Sequence, residues 1–133
     1  KPSESAVEIP AGLKVLIVED ETAVAAVLNR LLTKRGCVVE AVSNAADALE
    51  LLRDAEFDVI ISDVRMPGMR GTAPWERMKA EFPAQADRVV FVTGDTASSE
   101  TGEFLRAVGQ PVLAKPFGAG ELARALAALK TAV

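Results

Sequence analysis

The chain has 133 residues, half of them apolar, a formal net charge of -4 and a pI near 4.9. That length fits one domain with a real core, and the acidic balance argues against a phosphate-backbone binder, which needs a concentrated basic face. Histidine is absent and cysteine occurs once, at Cys37, which excludes histidine triads, thiolate metal clusters and internal disulfides. No apolar run approaches the roughly 20 residues of a bilayer-crossing helix, and no signal segment opens the chain. The expected setting is therefore cytoplasmic, without membrane insertion. An opening at Lys1 rather than Met suggests a piece of a longer protein or a processed chain.

Residues 1–12, with Pro2, Ser3, Ser5, Pro10 and Gly12, have no helical period and are expected to be a linker ahead of a domain over 13–133. From Lys14 the pattern alternates. It predicts a strand over 14–18, a helix over 21–34, a strand over 37–42, a helix over 45–55, a strand over 58–62 and a helix over 73–81. A strand over 88–92, a helix over 98–108, a strand over 111–114 and a helix over 119–131 complete five βα units. The runs Val15 to Val18, Val59 to Ile61, Val89 to Val92 and Val112 to Leu113 are continuous rather than alternating, as in parallel strands buried on both faces. Val24, Val27, Leu28 and Leu31 in the first helix, and Leu122, Leu126, Leu129 and Val133 in the last, fall at helical spacing and are expected to pack on the sheet. Asn44 and Ser98 or Ser99 are candidate caps, and Gly36 and Gly109 sit where helices should end. Only Phe104, Leu105 and Val108 anchor the helix over 98–108. Such alternation implies right-handed crossovers and a parallel sheet covered by helices.

Four of these strands end on residues able to handle a phosphoryl group or a hard cation: Glu19 and Asp20, Asp63, Thr93 and Lys115. In an open parallel sheet, ligands bind beyond the carboxyl ends of the strands, so all of these groups belong to one rim. Glu19-Asp20-Glu21 stands where a nucleotide-binding fold would place glycines or hydroxyls, and consecutive carboxylates repel phosphate unless a cation intervenes. Read for structure alone, Asp20 is the N-cap of the first helix and Glu21 a favourable first-turn charge. Asp63, ahead of the turn Val64-Arg65-Met66-Pro67-Gly68, is by itself an ordinary strand-end residue. If strands one and three are neighbours, as in the order 2-1-3-4-5, their tips lie about 5 Å apart. Asp20 and Asp63 then share one cation, and magnesium suits a few carboxylate or carbonyl oxygens plus waters. The Thr93 hydroxyl suits a phosphoryl oxygen, and Lys115, about 10 Å from Asp63 at the backbone, is long enough to reach inward.

Glu19-Asp20, Asp63 within Asp-Val-Arg-Met-Pro-Gly-Met-Arg-Gly, Thr93-Gly94 and Lys115-Pro116-Phe117 together resemble the receiver domain of two-component response regulators, over Lys14 to about Lys130. The resemblance implies an α/β, flavodoxin-like (βα)5 three-layer sandwich with a parallel five-stranded sheet of order 2-1-3-4-5. It implies Asp63 as the phosphoacceptor and Mg2+ held by Asp20, Asp63, the Arg65 backbone carbonyl and, through water, Glu19. Thr93 becomes the switch hydroxyl, Lys115 the phosphate-pairing amine, and Lys115-Pro116 a candidate cis bond. A histidine kinase or histidine phosphotransfer domain is the implied partner. Nucleic acid is not contacted directly, and a weak homodimer stays open. With no histidine in the chain, the phosphoryl donor lies outside it.

The stretch from Thr93-Gly94-Asp95 through Phe104-Leu105 to Gln110-Pro111 resembles receivers at the C-terminus of hybrid sensor histidine kinases, and no output domain is expected after the last helix. An excised hybrid-kinase receiver is the expectation, with a free-standing single-domain regulator as the alternative. Val112 departs from the family pattern, since many receivers carry a rotating Tyr or Phe there. Arg70 and Pro74 are further departures, and Trp75 and Met66 are expected to be packing residues. Other readings make other demands. A flavodoxin should carry a hydroxyl- and glycine-rich loop where Glu19-Asp20-Glu21 stands, and an aspartate-nucleophile phosphatase needs a second acid where Arg65 stands. A phosphorylation-independent interaction module predicts no response to magnesium and a phosphoryl donor.

Overall fold

Continuous apolar strands need cover on both faces, and the computed structural model, which describes residues 9–64, 73–94 and 99–131, supplies it. Five parallel strands, β1 (Lys14–Val18), β2 (Val38–Val42), β3 (Val59–Asp63), β4 (Val89–Thr93) and β5 (Val112–Ala114), form one sheet of order β2-β1-β3-β4-β5. The helices are α1 (Thr22–Lys34), α2 (Ala45–Asp54), α3 (Ala73–Glu81), a short α4 (Pro83–Ala86), α5 (Ser99–Val108) and α6 (Ala119–Thr131). This is the flavodoxin-like α/β arrangement expected. No helix among the described residues is long and apolar enough to cross a membrane.

The period of two along each strand sorts the core into two layers. Val15, Ile17, Ile61, Val90 and Val92 face one side and meet Leu28 and Leu32 of α1 and Leu122, Leu126 and Leu129 of α6. Leu16, Val18, Ile60, Val89 and Phe91 face the other, against Leu49 and Leu52 of α2 and Trp75 and Met78 of α3, with Phe104 of α5 half-buried beside them. Each fully buried aliphatic side chain contributes about 1.5–3 kcal/mol relative to exposure.

Several local signals act as predicted. The Asn44 side chain accepts a hydrogen bond from the Asp47 N–H at 2.8 Å, capping α2. Gly36 and Gly109 take positive φ of 88° and 72° just beyond α1 and α5, the left-handed conformation a helix exit requires. Cys37 is buried next to β2, where burial pushes its thiol pKa up. Trp75 packs edge-on against Phe91, with ring centroids 5.4 Å apart. Pro74 is the second residue of α3, in the first turn where its missing N–H leaves no helical bond unmade. Ser98, Met66, Arg70 and Val133 lie outside the described residues.

Other readings need correction. The α1 face turned to the sheet is centred on Leu28 and Leu32, and Val27 is 40% exposed, because the helix is rotated so that Leu32 takes the buried row. The last strand is not buried on both faces: β5 is an edge strand in which Leu113 is buried while Val112 is 39% exposed. Between α3 and β4, where the sequence reading places no element, lies α4, started by Pro83 and too short to show a period. Its Gln85 is buried and accepts the Phe57 N–H at 2.7 Å, which ties α4 to the start of β3.

Candidate functional site

Parallel pairing carries the ends of β1, β3, β4 and β5 to the same edge, and the ladder continues one residue past three of the strands. The Glu19 N–H donates to the Val42 carbonyl at 3.0 Å, the Val64 N–H to the Val92 carbonyl at 3.1 Å, and the Lys115 N–H to the Thr93 carbonyl at 2.9 Å. The polar residues of the rim thus stand on backbone held by neighbouring strands. Register pairs Val18 with Ser62, Asp63 with Val92, and Thr93 with Ala114. The Lys115–Pro116 peptide bond is cis.

Asp20, Glu21, Asp63, Thr93, Gly94 and Lys115 line one open cleft of about 300 Å3. Glu19, Asp20 and Asp63 each offer a carboxylate oxygen within 4.8 Å of the other two. Glu19 is 3% exposed. Its Oε2 accepts the Glu21 N–H at 3.1 Å, while its Oε1 is buried without a hydrogen-bond partner among the described residues. An orphaned carboxylate oxygen is costly in a native interior. Burial, reinforced by the charges of Asp63 and Asp20 and opposed by the Glu21 N–H and Lys115, raises the Glu19 pKa to about 7. A hard divalent cation among these oxygens would satisfy the orphaned atom and offset the repulsion, so the donor set fits magnesium. Arg65, whose carbonyl was expected as a further ligand, lies outside the described residues.

Thr93 is buried at the end of β4, and the Lys115 stem crosses Gly94, where an added Cβ would stand 3.4 Å from Lys115 Cδ. The ammonium is not isolated. Lys115 Nζ donates to Glu21 Oε1 at 2.7 Å. Partial burial works to lower the Lys115 pKa, but the Glu21 hydrogen bond and the charges of Glu19, Asp63 and Glu21 outweigh it and hold the pKa above its usual value.

This part of the rim differs from the reading of the sequence as a helix start. Asp20 does not cap α1: the N-cap position is Glu21, whose side chain makes no cap hydrogen bond. Glu21, a first-turn charge by the sequence alone, is in the fold a partner of Lys115. The signal was a third consecutive carboxylate after β1, but a pair 94 residues apart has no sequence signature.

A family model described as "Response regulator receiver domain" matches residues 15–127. The two-component response regulator ORR21 of Oryza sativa is 48% identical over 67 residues, covering 49% of this chain and 10% of that protein. The chain thus spans about a tenth of the length of that relative. Among solved structures, the chemotaxis response regulator CheY4 of Vibrio cholerae aligns with a TM-score of 0.75 and 30% identity, over 90% of this chain and 99% of that one. The receiver domain of the sensor histidine kinase PA1611 from Pseudomonas aeruginosa, solved with magnesium in its active-site cleft, aligns with a TM-score of 0.77 and 26% identity. That alignment covers 90% of this chain and 98% of the other.

Proposed function

The chain belongs to the response regulator receiver domain family of two-component signalling, and from that premise we propose that Asp63 is its phosphoacceptor, working with magnesium and with a phosphohistidine on a separate protein or segment as donor. The observation that carries the proposal is the clustering of Asp20 and Asp63, with the buried Glu19 carboxylate beside them, at one cleft that Thr93, Gly94 and Lys115 also line. An Asp63 carboxylate oxygen attacks the phosphorus as the donor P–N bond breaks, and the imidazole leaves with the electron pair. Positioning and charge neutralisation carry most of such a transfer.

Asp20 and Asp63 would hold the cation directly, Glu19 through a water, and the Arg65 carbonyl is the proposed further ligand. Magnesium, when bound, neutralises negative charge on the phosphoryl oxygens. The Lys115 ammonium supplies the second positive charge, and the Thr93 hydroxyl donates a hydrogen bond to a phosphoryl oxygen. Drawing Thr93 toward that oxygen repacks the loop after β4 and biases α5 and β5 between two arrangements. A histidine kinase or phosphotransfer domain is the partner such a site requires. Placement within a hybrid kinase is supported by the resemblance over residues 93–111 and by the likeness to the PA1611 receiver.

Intact-mass spectra with acetyl phosphate and magnesium test the assignment. Wild type should gain one phosphoryl group and Asp63→Asn none, with Asp20→Asn weakening magnesium binding by removing an anionic ligand. Equal labelling of wild type and Asp63→Asn would reject the assignment.

A further inference from the structure

Glu21 lies on the cleft but outside the proposed metal and phosphoryl chemistry, and its side chain occupies an unusual place. Short acceptors such as Asp, Asn and Ser cap a helix with their side chains, and a glutamate carboxylate near the same N-terminus is favoured by the helix dipole. Here the Glu21 side chain makes no cap hydrogen bond. The carboxylate reaches across the cleft to Lys115 Nζ at 2.7 Å, joining the β1–α1 junction to the end of β5. Both ends of the bridge are anchored, since the Glu21 N–H is held by Glu19 Oε2 and the Lys115 N–H by the Thr93 carbonyl. The Glu21 side chain is 62% exposed and that of Lys115 23% exposed, so the bridge links a largely buried lysine to a carboxylate on the open side of the cleft.

We infer that Glu21 is a positioning residue that holds the Lys115 ammonium in the unphosphorylated domain and yields it to a phosphoryl group on Asp63. The inference rests on the proposed role of Asp63. A phosphoryl group with its greater negative charge and three acceptor oxygens outcompetes a single exposed carboxylate for the ammonium. The exchange is therefore favourable but opposed, and Glu21 weakens the response of the site to phosphate. Because an exposed ion pair is weak, the opposition is limited to about fivefold in affinity.

Titration of the whole chain with beryllofluoride at saturating magnesium, read by calorimetry, tests this. Glu21→Gln should bind about three- to fivefold tighter than wild type. In a Lys115→Ala background the same substitution should change nothing, because the two residues act as one unit. Glu21→Asp keeps the charge but shortens the reach, and should behave as Glu21→Gln does. Unchanged or weaker binding by Glu21→Gln would overturn the inference while leaving the role of Asp63 standing. So would a gain that survives in Lys115→Ala, or a Glu21→Asp variant matching wild type, since either outcome assigns the effect to the general field of the carboxylate. No magnesium-dependent binding by wild type would overturn both.

Discussion

The two sides of the sheet are built from different materials. On the α1 and α6 side the fully buried residues are aliphatic, with Leu28, Leu32 and Leu122 each at 0% exposure against Val15, Ile17 and Ile61. On the other side an aromatic chain runs from α3 through β4 to α5: Trp75 meets Phe91 edge-on, and Phe91 meets Phe104 with centroids 5.3 Å apart. A small apolar cavity of about 40 Å3 sits in this second layer, and Asp63, Trp75, Phe91 and Phe104 all border it. Close-packed interiors resist change, and spare volume beside the site gives this layer room to repack. The first layer holds the strand ends in register. The second borders Asp63 through this cavity.

The largest test of that contrast is Leu122→Ala, which should cost about 2–5 kcal/mol and lower the cooperative unfolding midpoint of the whole domain in urea. Phe104→Ala removes a side chain that is only half-buried, so it should cost less, roughly 1–2 kcal/mol. Its effect should be greatest on α5, with faster amide exchange there than in α6. A global loss from Phe104→Ala as large as that from Leu122→Ala would erase the distinction between the layers.

A third test reaches the rim that both layers support. In the unfolded chain Glu19 ionises near 4.5, whereas burial holds its folded pKa at about 7. Between those values the folded state binds more protons than the unfolded one, so stability in the absence of metal should fall as pH rises from about 4.5 to 7 and level off above. Glu19→Gln should flatten that part of the profile in thermal melts. Magnesium affinity should move the opposite way, rising with pH over the same interval as the competing proton leaves.

The smallest expected effect concerns how the signal leaves the domain. Val112 is β-branched, restricted at χ1 and too small to follow Thr93 as a rotating aromatic would. It stands on the edge strand β5 and is 39% exposed. With beryllofluoride bound, amide exchange should change in α5, the helix thinly held by Phe104, Leu105 and Val108, while α6 stays protected. Changes confined to the phosphate-contacting loops would point to a phosphate sink without an output face.

Strand and helix order, the helix-ending glycines and the Asn44 cap were legible because each is a local matter. A buried parallel strand needs an unbroken apolar run, a helix exit at positive φ favours glycine, and an N-cap needs a short acceptor. The rim residues were legible for the same reason, since strand ends are local and parallel pairing brings their carboxyl ends to one edge. What escaped depended on rotation about an axis or on a partner far along the chain. The burial of Leu32 in place of Val27 follows from how α1 rolls against β1 and β2, and the half-exposure of β5 from there being no strand beyond it in the order β2-β1-β3-β4-β5. The Glu21–Lys115 bridge exists only because β1 and β5 end on the same edge of the sheet, and a carboxylate given a choice between its own helix and a distant ammonium is directed by tertiary proximity. Residue types set by themselves which chemistry this edge could hold, while the assembly of the sheet decided which charges meet there, because Coulomb energy depends on separations that only the folded chain defines.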